Sequence, residues 1–221
     1  MKTKLHWIAA AALALAMGGT AHAQQAGRWI AQIGVTNIAP DVDSGDLSAP
    51  SLPGTKVDIK SATQLSGGIT YMVTDHWAVD LPLALPFKHD IVGAGAIAGV
   101  GKLGDVKALP ITLLAQYRFG AVNAKVRPYL AAGPTYAKFY HERSTGTLSA
   151  LTAGSPTTLT VESKLGLTVE AGASFALNER WSLDAAVAKT FLKTKTSLST
   201  GQTIDTRLDP TSVMLSVGYL F

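Results

Sequence analysis

The chain has 221 residues, of which 47% are hydrophobic and only 15% are charged, and its formal net charge is +4. Soluble domains carry about 25% charged residues, so this composition is typical of a protein that presents a large surface to lipid. The small net charge argues against nucleic acid as a partner. The sequence contains no cysteine, which excludes disulfides and thiolate chemistry.

The first 23 residues have the three parts of a secretory signal peptide. Lys2 and Lys4 give a positive start, residues 7–17 form an apolar run, and Ala21-His22-Ala23 matches a small-residue cleavage site. The apolar run is shorter than the ~20 residues that a transmembrane helix needs. We therefore expect cleavage after Ala23 and one mature domain over residues 24–221.

After the signal peptide the dominant repeat of apolar residues is two, which is the spacing of a β-strand with one apolar face. Eight segments with this repeat are predicted as strands. They cover residues 29–36, 64–73, 76–85, 109–119, 126–141, 165–177, 181–188 and 212–221. In 126–141 prolines and aromatic residues occur at both odd and even positions, so the facing of that strand stays open.

Short and long connections alternate between these strands. The short ones lie near residues 74–76, 120–125 and 178–180. The long ones are polar or glycine-rich and cover residues 39–60, 88–107, 143–162 and 195–207. This alternation is typical of an outer-membrane barrel with short periplasmic turns and long extracellular loops. An even number of strands then places both termini on the periplasmic side.

A strand edge facing lipid would leave backbone groups unpaired at several kcal/mol each, so the first strand is expected to pair with the last. Aromatic residues near the strand ends suit the membrane interfaces. They are Trp29, Tyr71, Trp77, Tyr117, Phe119, Trp181, Tyr219 and Phe221. The final aromatic, Phe221, resembles the signal that outer-membrane proteins present to the barrel-assembly machinery, which we expect as a partner.

A soluble barrel of the lipocalin type is the alternative, since it has the same repeat with apolar residues pointing inward. The residues opposite the apolar set are glycine, serine, threonine, glutamine and acids, which are too small and polar to fill a soluble core. The fold class is therefore predicted as all-β, an eight-stranded antiparallel transmembrane β-barrel surrounded by outer-membrane lipids and lipopolysaccharide.

A resemblance to a known family is carried by the segments 70–75, 77–79, 86–90, 109–110, 116–119, 128–129, Gly133, Tyr136, Phe139, 181–184, 209–210 and 219–221. Through them the sequence resembles the OmpW/AlkL family of small outer-membrane barrels along the whole mature chain. The resemblance implies passive uptake of small hydrophobic molecules through a narrow apolar pocket that opens outward, with exit sideways through the barrel wall. An eight-stranded barrel is too narrow for an open aqueous pore.

Candidate pathway residues follow from strand parity and height, although a register error of one residue would reverse each facing. They are Ile30, Ile38, Leu52, Ile59, Leu65, Ala84, Phe87 and Ile97, with Pro86 at the rim. Pro86 lacks an N–H, so it would end the ladder of the third strand and help a lateral gap to open. Alternatively it only ends the strand, and the following Lys88, His89 and Asp90 solvate a loop or meet lipopolysaccharide phosphates.

Five polar residues at inward positions are predicted to form a polar plug toward the periplasmic side, which would block straight passage. They are Asp80, Gln116, Arg118, Glu170 and Asp184. His89 and Asp90 are adjacent on a strand and point to opposite faces, so they cannot readily share a ligand. We expect no enzyme activity, metal or cofactor. The alternative function is a barrel whose loops bind lipopolysaccharide, phage or host surfaces without conduction.

Overall fold

The computed structural model describes residues 24–152 and 156–221; the predicted signal peptide lies outside these residues. No helix among them is long and apolar enough to cross a membrane. The elements are β1 (Trp29–Ala39), β2 (Asp43–Ser44), β3 (Thr55–Ile59), β4 (Ala62–Met72), β5 (Trp77–Ala84), β6 (Phe87–Gly95), β7 (Lys102–Thr112), β8 (Leu114–Arg118), β9 (Val126–Ser144), α1 (Gly146–Leu151), β10 (Leu159–Val161), β11 (Lys164–Ala176), β12 (Trp181–Phe191), β13 (Lys193–Leu198), β14 (Thr203–Arg207) and β15 (Thr211–Leu220).

The main sheet closes on itself, as predicted for an eight-stranded antiparallel barrel. Its wall runs β1-β4-β5-β8-β9-β11-β12-β15 and returns to β1. The closing ladder pairs Ile30 with Leu220 and continues to Ala39 with Thr211. We call the end with the three short turns the turn end. The opposite end, with the long connections, is the loop end.

Alternate residues of the wall face outward and inward, and the outward set is apolar. Ile33 is 62% exposed and Leu167 is 52% exposed, whereas the inward Arg118 and Asp184 are each 1% exposed. This arrangement is the reverse of a soluble barrel and suits a protein surrounded by lipid. The prediction that the apolar residues face lipid and the small polar residues face the lumen is confirmed.

The eight aromatic residues predicted at the interfaces all lie at the turn end. Trp29 packs on Tyr71 with ring centroids 4.6 Å apart, and Trp77 packs on Tyr117 at 5.1 Å. The same spacing recurs between Trp181 and Tyr219, at 4.9 Å. Since the strand registers place these pairs directly opposite each other, they form one girdle of amphipathic rings at headgroup height.

The long connections contain more regular structure than the sequence predicted. β6 and β7 continue the wall beyond the lipid-facing belt as a hairpin, to which β3 adds a strand. A second sheet has the order β10-β13-β14-β2. The predicted loop 88–107 is therefore mostly strand. Its glycine and alanine content concealed the pattern, but Gly95 (φ +60°) and Gly101 (φ +86°) are needed for the turn that joins the two strands.

In β9, the strand whose facing the sequence left open, inward and outward residues alternate regularly in the structure. Odd residues of β9, from Arg127 to Ala137, point into the lumen, while Pro128 and Pro134 point outward. Ile91, Leu103 and neighbouring apolar side chains form a cluster inside the loop-end extension. The extension therefore encloses an apolar chamber above the barrel lumen.

Candidate functional site

A cavity of about 620 Å³ fills the loop-end half of the molecule. Its walls are mainly apolar and include Ile59, Phe87, Val106, Leu192 and Leu208. Leu52, which is 69% exposed, lines its mouth, so the cavity opens outward at the loop end. The volume is in the range of small-molecule binding sites, and an apolar wall with few polar groups is typical of them.

The structure brings most of the predicted pathway residues to this cavity. The residues that line it are Ile38, Leu52, Ile59, Ala84, Phe87 and Ile97. Pro86 lies between β5 and β6, and its carbonyl accepts a hydrogen bond from Gln64 Nε2 at 3.2 Å. The ladder between β4 and β5 ends just before Pro86, at the pair Ser66–Ala84.

Two predicted pathway residues lie elsewhere, and both predictions were wrong. Leu65 is 51% exposed on the outer face, because it shares the parity of the lipid-facing Ile69 on β4. Ile30 faces inward but packs against Leu220 at the turn end, far from the cavity, because β1 starts there. Parity alone gives the face of a strand residue, whereas its height depends on where the strand begins.

The segment after Pro86 separates into inward and outward groups. His89 is buried in the cavity wall and its Nδ1–H donates to the carbonyl of Lys60 at 2.8 Å. Burial lowers the pKa of His89, and this outweighs the carbonyl contact, which raises it. Asp90 turns outward and accepts from Lys102 at 2.6 Å. The two neighbours therefore do not form a pair, as the alternation of a strand requires.

A belt of hydroxyl groups surrounds the lower part of the cavity. Four threonines from four strands form a chain with Oγ1–Oγ1 distances of 2.8, 2.5 and 2.8 Å. In order around the wall they are Thr112, Thr135, Thr168 and Thr190. On the other side Thr36 and Ser66 are hydrogen-bonded at 2.7 Å. Each hydroxyl both donates and accepts, so the belt keeps polar groups satisfied inside an apolar chamber.

Below the belt the five predicted polar residues lie in the lumen, and all of them are buried. Arg118 Nε donates to Gln116 Oε1 at 2.6 Å, and its guanidinium lies 5.1 Å from the ring centre of Tyr129. Tyr129 donates to Asp184 at 2.7 Å, and Asp80 accepts from the Thr70 hydroxyl. We call the five predicted residues, together with Gln24, Arg127 and Tyr129, the floor cluster.

The charged groups of the floor cluster bind neutral polar groups and not each other. Among the described residues Asp80 and Asp184 accept from hydroxyl groups and the two arginines donate to oxygens of amide groups, with no ion pair within 4 Å. Glu170 lies higher than the others, midway along β11, and lines the cavity itself. It is therefore the top of the cluster and the bottom of the cavity.

Three members of the floor cluster were missed from the sequence. Gln24 accepts from Arg118 Nη1 at 2.7 Å through its side chain and from Arg127 Nη1 at 2.9 Å through its carbonyl. Arg127 and Tyr129 belong to the strand whose facing was open. Gly172 leaves space for the Tyr129 ring, since an added Cβ would lie 2.5 Å from it. Gln24 precedes every strand, so no periodicity could have placed it.

The wall next to the cavity has a break between β5 and the strands that follow it. Pairing of β5 with β8 runs from Trp77–Tyr117 to Asp80–Leu114. Pairing resumes with Phe87 opposite Ala108, one residue out of register. Across residues 81–86 and 109–113 no ladder pair joins the two sides in the described part of the chain.

Prolines account for this break. The N–H of Leu85 bonds to β4 and that of Leu113 bonds to β9, so residues of the opposite parity present their backbone groups to the break. Those residues include Pro82 and Pro110, which have no N–H. If the register of the β5–β8 ladder is continued toward the loop end, Pro82 lies opposite Thr112 and Ala84 lies opposite Pro110. We call this the extended register. Each potential pair thus lacks one donor.

Comparison with known proteins agrees with this architecture. The model of the OmpW family matches residues 25–221. Outer membrane protein W of Vibrio cholerae serotype O1 is 32% identical over 219 residues, covering 96% of both chains. Outer membrane protein AlkL of Ectopseudomonas oleovorans is 24% identical over 88% of this chain and 83% of its own. The crystal structure of OprG from Pseudomonas aeruginosa is 32% identical, with a TM-score of 0.82, and covers 91% of this chain and 99% of its own. The chain therefore belongs to the OmpW family of outer-membrane β-barrels.

Proposed function

We propose that this barrel is a passive channel for small hydrophobic molecules, which enter the cavity from outside and leave sideways into the membrane between β5 and β7. The observation that carries the proposal is the break in the wall beside the apolar cavity. In this orientation the turn end faces the periplasm, so Phe221 lies where the barrel-assembly machinery would recognise it.

The floor cluster supports a sideways exit because it obstructs a straight one. A hydrophobic solute moving on to the turn end would have to displace Arg118 and Asp184 from their hydrogen bonds. Each buried polar group left without a partner costs ~1–3 kcal/mol, and the solute offers none. The cavity also ends at Glu170, well above the turn end.

The chemistry around the break favours passage of an apolar molecule. Leu83 and Leu85 on one side, and Ile111 and Leu113 on the other, point outward and are each about half exposed. Leu83 also lines the cavity although its strand position faces outward, so the cavity reaches the wall at this place. Widening the break separates few backbone hydrogen bonds, since the prolines have already removed donors.

A disulfide across the break tests the proposal, because the chain has no cysteine of its own. The extended register places Leu83 opposite Ile111, so the double variant Leu83→Cys with Ile111→Cys can be oxidised to hold the two strands together. The control joins Val35→Cys with Leu65→Cys, which are opposite each other in the intact β1–β4 ladder. Both pairs face lipid.

The measurement is uptake of a small apolar probe by cells that lack or express the barrel. We expect expression to speed uptake, oxidation of the break pair to slow it, and reduction to restore it, with no such change in the control pair. If expression leaves uptake of several apolar probes unchanged, the transport function fails. If the oxidised break pair transports as fast as the reduced one, the sideways exit fails.

A further inference from the structure

Glu170 is the polar group that faces the cavity from below. It is 6% exposed and lines the cavity. Its cross-strand neighbours are Ala131 on β9 and Ala188 on β12, and Ala186 is also buried nearby on the cavity wall. Because these side chains are small, there is room for a ligand group to approach the carboxyl from the cavity.

The carboxyl of Glu170 differs from the other acids of the lumen in its contacts. Asp80 accepts a hydrogen bond from Thr70, and Asp184 accepts one from Tyr129. Within residues 24–152 and 156–221 no side chain or backbone group is hydrogen-bonded to Glu170. A buried carboxyl without a donor is unfavourable, so a ligand that donates hydrogen bonds gains by binding there.

The charges around Glu170 favour a cationic donor. The inward acids are Asp80, Asp184 and Glu170, and the inward arginines are Arg118 and Arg127. Carboxyls therefore outnumber guanidiniums in the lumen. The Nε and Nη1 groups of Arg118 are engaged with the side-chain oxygens of two glutamines, and Arg127 binds carbonyl groups.

The hydroxyl belt connects Glu170 with the break in the wall. Thr168 lies two residues above Glu170 on the same face of β11, and the chain continues through Thr135 to Thr112. Thr112 is the last residue of β7, at the edge of the break. The four hydroxyls carry four protons, and the three hydrogen bonds of the chain use three of them. The fourth proton can be donated to the polar head group of a ligand along this path.

We propose that Glu170 is a head-group site for amphiphiles, and that the cavity binds single-chain primary amines with the ammonium at Glu170 and the apolar tail toward the loop end. The inference rests on the proposed function only in using the same cavity, because it concerns binding and not transport. It narrows the ligand class from any hydrophobic molecule to molecules with a hydrogen-bond-donating, cationic head.

Binding of hexylamine, hexanol and hexanoate to the barrel in lipid nanodiscs tests the proposal, with empty nanodiscs as the baseline for partitioning into lipid. A charge-assisted hydrogen bond is about twice as strong as a neutral one, so we expect hexylamine to bind about tenfold more tightly than hexanol. Hexanoate should bind most weakly. Glu170→Gln should abolish the preference for the amine, and the exposed turn variant Glu179→Gln should keep it.

A second variant guards against misfolding of the first. Ala188→Leu keeps the carboxyl but fills cavity space beside it, and it should weaken binding of all three ligands at least severalfold while leaving the barrel folded. Equal affinities of hexylamine and hexanol in the wild-type protein, or a preference that survives Glu170→Gln, would overturn the inference. Uptake of an apolar probe is measured on the same variants. If uptake persists without the amine preference, only the head-group site fails; if the preference persists without uptake, only transport fails.

Discussion

Replacing Pro82 and Pro110 by alanine supplies two N–H groups that point across the break in the wall. In the extended register the new donor at residue 82 faces the carbonyl of Thr112, and the donor at residue 110 faces the carbonyl of Ala84. Both prolines already have strand neighbours on their other sides. The double substitution therefore requires only that β5 and β7 pair across the break, with no change elsewhere in the barrel.

The expected effect follows from the number of hydrogen bonds restored. Each contributes ~0.5–1.5 kcal/mol, so two add ~1–3 kcal/mol to the work of opening the wall. Since 1.36 kcal/mol changes a rate tenfold, uptake limited by this opening should slow by about 5- to 150-fold. The low end applies if the strands pair imperfectly, and lipid exposure of the break favours the high end.

Two measurements on the double variant separate the steps of this reasoning. Hydrogen exchange at Ala84 and Thr112 reports whether the ladder has formed, and probe uptake by expressing cells reports passage. The control is Pro128→Ala, a proline of the barrel wall near the turn end whose carbonyl accepts from Phe119 at 2.8 Å. It should change neither reading.

The result that refutes the sideways exit is an increase in protection at both amides with uptake unchanged. Unchanged protection would instead refute the assignment of the break to the prolines. Uptake slowed equally by Pro128→Ala would mean that the effect is a general one on the barrel.

Three further predictions concern the floor cluster and the chamber. Tyr129→Phe removes the donor to Asp184 and should lower the free energy of unfolding, measured by urea titration in vesicles, by ~1–3 kcal/mol. Gln24→Ala removes the side-chain oxygen that accepts from Arg118 Nη1 and should raise ion leak in planar bilayers, whereas Gln25→Ala, exposed beside it, should not. His89 has a pKa lowered by burial, so its neutral form stabilises the fold above its unfolded pKa, near 6.5, and this stability is lost as the pH falls from there toward the folded pKa. His89→Gln should flatten that dependence in urea titrations at a series of pH values.

Some of the site was within reach of the sequence because it depends on strand parity. The inward positions of Asp80, Arg118 and Asp184 follow from the repeat of two around them, and the structure places all three in the lumen. The height of a residue along the barrel and its register with the neighbouring strand do not follow from parity. Ile30 was predicted on the correct face but at the wrong height. Leu65 was predicted to face the lumen, although the repeat of two in its own strand puts it among the outward-facing residues.

The sequence by itself determined that the chain forms a barrel with an apolar outside, because a repeat of two with few charges and small inward residues has no other way to bury its backbone in lipid. Only the tertiary structure decided where the wall lacks backbone pairing and which residues make up the floor cluster. Pro82 and Pro110 lie 28 positions apart in the sequence, and their joint effect exists only in the register that sets them across one break. Gln24 likewise reaches Arg118 and Arg127 only once the wall has closed around it, because such contacts depend on the closed shape of the barrel and not on any local pattern.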